Sequence, residues 1–178
     1  VPDLSNDLER FGISVGDDVV FDVNPENLMA GGDPTLLVLG RDNVVFHEIT
    51  QSLGAALILG MARSVTPIRS VGGVEVEDLL VTSADAWAEV DLDTPDLPSP
   101  GPHEKAGRVP LMVVSEVIDP SALEIAPHDD ALGRGVPADL SMKPGGRIVV
   151  IGDADFATKG FVGWGNNRDL FLNTIAWL

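Results

Sequence analysis

The chain has no cysteine and no tyrosine, and only 5% of its residues are aromatic. Without cysteine there is no disulfide, no thiolate nucleophile and no cysteine-ligated zinc, a composition that suits either side of a membrane. With three Trp and six Phe, aliphatic side chains must fill the core. Positive charge is scarce as well: 11 Lys and Arg stand against 28 Asp and Glu, for a formal net charge of −17. Such a surface repels nucleic-acid phosphates and anionic lipid head groups, so no nucleic-acid partner is expected. It also suits a high-salt habitat. No apolar run reaches the roughly 18 residues that cross a bilayer, so membrane attachment would need a segment outside this sequence.

What is present is enough for one domain. The 178 residues are 44% hydrophobic, sufficient to bury a sizeable core. The sequence begins at Val1 rather than Met and shows no signal peptide, which leads us to expect a piece excised from something longer. The opening segment predicts a short helix with Leu4, Leu8 and Phe11 on one face, ended by Gly12. Strands are expected at Asp18 to Val23, Thr35 to Gly40, Val74 to Ser83, Val109 to Val117 and Arg147 to Asp153. Ala55 to Val65 reads equally as a buried strand or a helix. Ser83 is placed to cap a short helix over SADAWAEV. The stretch DLDTPDLPSPGPHEKAG, Asp91 to Gly107, holds four prolines and reads as a surface loop or a partner contact. The terminal NRDLFLNTIAWL predicts a helix, with Asn167 placed to cap it. Continuous apolar strands separated by loops and helices indicate an α/β domain with a mostly parallel sheet covered on both faces.

In a parallel sheet, ligands bind outside the carboxyl ends of the strands. Asp153 and Asp155, in GDADF, follow the last strand there. Two carboxylates at this spacing could share Mg²⁺ or Ca²⁺; the alternative is that Asp153 accepts turn N–H groups and Asp155 faces water. The loop GFVGWGNNRD lacks the Lys and Ser/Thr of a phosphate-binding loop. Its helix start at Asn166 and Asn167 could hold an anion, and Arg168 could pair with Asp153 or Asp155. Trp164 is either a ligand-stacking aromatic or cover for the core edge. His47, His103 and His128 lie in three separate loops, without zinc-site spacing. Ser64 and Ser83 lack the G-x-S-x-G context of a hydrolase nucleophile. No catalytic constellation, metal site or cofactor is expected.

HEIT at His47, the apolar run ending in ARSV, LLVTSADAWAE, VPLMVVSEV and the block from Arg147 to Leu178 together resemble one family. This is the auxiliary domain of ABC-type uncharacterised transport systems, found in proteins similar to the gliding-motility protein GldG. The likeness runs from about Phe11 to Leu178, and GDADF with GNNRDLFLN and the final WL is its most specific part. The resemblance implies a flavodoxin-like sheet, as in class I glutamine amidotransferases. It also implies an extracytoplasmic domain, membrane-anchored in the full-length protein, whose partners are the membrane or ATPase subunits of an ABC transporter. Amidotransferase chemistry needs a cysteine that this chain lacks.

Three readings follow. The first is a non-catalytic interaction domain of a transport system, and the second a binder of a small polar ligand such as a sugar-like solute. The third is a metal-assisted hydrolase. The last two need an open pocket at Asp153, whereas the first allows Phe161 and Trp164 to pack that turn shut.

Overall fold

The computed structural model describes residues 4–25, 27–28, 32–54, 56–92, 99–101, 104, 106–123 and 144–178. Helix α1 (Ser5–Glu9) leads into β1 (Ile13–Val15) and β2 (Val19–Asp22), followed by β3 (Leu36–Leu39), β4 (Leu57–Gly60) and β5 (Val65–Pro67). Then come β6 (Val74–Val81), β7 (Ala86–Glu89), β8 (Pro110–Val117), β9 (Arg147–Ile151) and helix α2 (Asn167–Trp177). Gly12, at φ 76°, ends the first helical segment in the left-handed region that glycine favours.

Every strand pairing among the described residues is antiparallel: β1 with β5, β2 with β7, β3 with β4, and β6–β8–β9 in that order. Hydrogen bonds beyond the strands link these sheets, including Val20 N to Ala62 O, Val45 N to Leu79 O and Arg63 N to Gly152 O. The flavodoxin-like, mostly parallel α/β sheet expected from the apolar runs and from the family resemblance is therefore not what the chain adopts.

The physical reason lies in what a continuous apolar run reports. It records burial on both faces, which parallel sheets require and antiparallel sheets can also have. In β8, Val114 faces the main core of Val20, Leu37, Leu57, Leu80 and Leu170. Its neighbour Val113 faces the opposite way, into a smaller cluster with Ile13 and Val65. Both sides are covered, and strand direction left no mark on the sequence.

A second correction concerns SADAWAEV, whose Ala86–Glu89 form strand β7 and not a helix. Trp87 lies opposite Phe21 of β2, and the two rings stack with centroids 5.6 Å apart. This cross-strand aromatic pair favours the extended form. Ser83 Oγ accepts from Asp85 N, so Ser83 shapes a turn instead of a helix start. The ambiguous run Ala55 to Val65 contains strand β4 and the first residue of β5, with Met61 at φ 49° in the turn between them.

Helix α2 lies on the core through Leu170, Thr174 and Trp177. Arg147 closes its far end. The Arg147 guanidinium sits 4.6 Å from the Trp177 ring centroid and donates to the Trp177 carbonyl at 2.6 Å. This places a cation where the helix dipole is negative. No helix among the described residues is long and apolar enough to cross a membrane.

Candidate functional site: a junction that closes a strand edge

The last strand, the acidic turn, the glycine loop and α2 meet along the outer edge of β4. That strand pairs with β3 on one side only, so the N–H and C=O groups of its other edge need partners. They find them in the C-terminal block at every second residue. Gly54 N donates to Asn166 Oδ1 at 3.1 Å, and Ala56 O accepts from Asn166 N at 2.9 Å. Ile58 N donates to Asn167 Oδ1 at 2.9 Å, while Ile58 O accepts from Asn167 Nδ2 at 2.7 Å. Gly60 N donates to Asp153 Oδ2 at 2.9 Å. The Asn167 side-chain amide thus takes the place of a neighbouring strand's peptide group.

The local sequence explains how these groups reach the edge. Gly152 packs on the backbone of Arg63, whose carbonyl a Cβ at 152 would strike. Gly165, at φ 50°, turns its open side onto the Ala56 carbonyl. Any other residue there would combine a backbone clash with an unfavourable φ.

Asp153 is buried, and its Oδ1 also accepts from Asp155 N at 2.6 Å. Asp155 points to solvent. Asn167 is fully buried, and its Nδ2 makes a further bond to Phe161 O at 3.1 Å. Asn166 Nδ2 donates to Asp169 Oδ2 at 2.7 Å. Neither asparagine caps α2 through its side chain. Arg168 forms no ion pair with Asp153 or Asp155. The Phe161 ring lies against Gly60, and the Trp164 ring stands 4.9 Å from that of Phe161 with 45% of its residue surface exposed.

The structure therefore brings Asp153, Asn166 and Asn167 together but leaves Asp155, Trp164 and Arg168 at the surface. The carboxylate and amides that could have met a ligand are engaged with backbone or, for Asn166 Nδ2, with the Asp169 carboxylate. Three clefts of about 400 to 510 Å³ open elsewhere, and none is lined by these six residues.

The other sequence candidates behave alike. Ser64 Oγ donates to Asp18 Oδ2 at 2.6 Å, and Ser83 Oγ to Asp22 Oδ1 at 2.7 Å. His47 Nδ1 accepts from Ile49 N, and its ring meets Trp177 edge-on at 5.3 Å. His103, His128 and most of the proline-rich loop lie outside the described residues. Among the described residues, no three His, Asp or Glu side chains gather as a metal site would need.

These features define a class: an antiparallel β domain closed by a C-terminal helix. No family model matches the chain, and no curated protein does. Among solved structures, the chain is similar to the mmIFT52 N-terminal domain, with a TM-score of 0.57 and 12% identity over 98% of this chain. It spans 56% of that solved chain, and at this identity the likeness concerns the fold alone.

Proposed function

We propose that this domain is a non-catalytic interaction module. The observation that carries the reading is the composition of α2. Its core side is Asn167, Leu170, Thr174 and Trp177, and Asn173 ties a second side to Ile49 O and Ser52 Oγ. The remaining flank carries Phe171, Leu172, Ile175 and Leu178, exposed by 38%, 49%, 57% and 57%. Residues at i, i+4 and i+7 with one at i+1 form a continuous apolar stripe. A helix apolar on both core and outer sides is expected where both become covered, and burying the exposed part of such side chains contributes roughly 1 kcal/mol each. The closed junction at Asp153 favours this reading over a ligand site or hydrolase at that turn.

The likeness of the chain's blocks to the GldG-like family supplies the kind of partner. These are membrane or ATPase subunits of an ABC-type transport system, engaged through a full-length, membrane-anchored protein that holds this domain on the extracytoplasmic side. The test is co-expression of the full-length protein with those subunits. The wild type is expected to retain them through purification, and a Leu172→Glu, Ile175→Glu double variant to release them while melting at the same temperature. Retention by the variant, or no complex with the wild type, would overturn the proposal.

A further inference from the structure

Strands β2, β3 and β6 end, and β8 begins, around a polar cleft of about 400 Å³. Its floor is fixed by internal bonds. The buried Asp22 carboxylate accepts from Ser83 N at 3.0 Å, Ser83 Oγ at 2.7 Å and Asn24 N at 3.0 Å. Asn27, also buried, donates to Asp22 O at 2.9 Å and accepts from Val38 N at 2.6 Å. Among the described residues the one acid on the rim is Asp42, and Arg108 donates to its carbonyl, at 3.2 Å, and not to its carboxylate.

Two arginines, Arg41 and Arg108, line this one cleft. In a chain with 28 acids and 11 bases, arginines are expected to find carboxylates. Arg10, Arg63, Arg69 and Arg147 do so, with Asp7, Asp17, Asp78 and Glu116. Among the described residues, Arg41, Arg108 and Arg168 form no ion pair, and of these Arg41 and Arg108 share one cleft. Asn43 sits beside them, its Oδ1 accepting from Gly40 N at 3.0 Å, which directs its Nδ2 donors elsewhere. Guanidinium groups present forked donors that match carboxylate and phosphate oxygens. The cleft volume lies in the range of small-molecule sites, about 300 to 1,000 Å³.

We infer that this cleft binds a small anionic ligand through its carboxylate or phosphate oxygens, held by Arg41 and Arg108 with Asn43 as a further donor. The site is separate from the α2 flank, so it stands or falls independently of the interaction reading.

Isothermal titration calorimetry of the chain with inorganic phosphate and with succinate tests it, at an ionic strength held constant with sodium chloride. Saturable binding of at least one anion is expected, with a dissociation constant below about 1 mM. The Arg41→Gln, Arg108→Gln double variant should weaken it at least tenfold while its melting temperature stays unchanged. Lys159→Gln, which removes one exposed charge away from the cleft, should leave binding intact. The tighter of the two anions assigns the ligand to phosphate esters or to carboxylates. Saturation by neither anion, equal binding by the double variant, or equal weakening by Lys159→Gln overturns the inference.

Discussion

Asp153 and Asn167 do at residue scale what a neighbouring strand would otherwise do for β4. Removing either leaves part-buried backbone donors without partners, at up to about 1–3 kcal/mol for each such group. Asp153→Ala strips the acceptor from both Gly60 N and Asp155 N. We expect a loss of about 2–3 kcal/mol, or roughly 5–10 °C in melting temperature for a domain of this size. A panel of divalent cations, nucleotides and sugars should give the wild type no melting shift that Asp153→Ala abolishes; such a shift would return this turn to the list of ligand sites. Thr174 predicts the opposite sign. Its Oγ1 is buried without a hydrogen-bond partner among the described residues, so Thr174→Val, nearly the same shape, should stabilise by about 0.5–1 kcal/mol in urea titrations. A destabilised valine variant would mean that the hydroxyl does find a partner.

At the scale of elements, the turn after β7 carries its own pH response. The Glu104 carboxylate accepts from Gly101 N at 2.7 Å and Val90 N at 3.0 Å, and these bonds hold its pKa below the usual carboxylate range. A depressed folded-state pKa contributes stability that is present above the unfolded value and lost as pH falls through the folded one. The Val90 and Gly101 amide resonances should therefore titrate below the ordinary Glu value of about 4.3, and Glu104→Gln should abolish the transition. Titration at or above that value would contradict the assignment. Which elements could be read from sequence follows from which interactions are local. Helix α2, β2, β3, β6, β8 and β9 are legible because their apolar patterns are set by their own residues. Strand β7 was not, since Ser83 followed by alanines carries a helix-start signal that the Phe21–Trp87 pairing across 66 positions overrides. The roles of Asn166 and Asn167 were equally hidden. Their partners lie more than 100 residues away, and the spacing of Asn before a helix mimics a cap. Arg41 and Arg108 left no sequence signal, because only the meeting of four strand ends places them in one cleft.

For the whole molecule, the net charge of −17 and the apolar flank of α2 act against each other. Repulsion between copies opposes any contact through the flank, and salt weakens that repulsion while leaving apolar attraction in place. The resulting claim is central: α2 is fixed on one side by buried bonds and offers its other side to a partner. Sedimentation velocity in about 1 M sodium chloride, where charges are screened within about 3 Å, tests this most directly on the wild type and the Leu172→Glu, Ile175→Glu variant. We predict concentration-dependent association of the wild type, a monomeric variant, and melting temperatures within about 2 °C of each other. A wild type that stays monomeric at every concentration, or a variant that melts far lower, would contradict it.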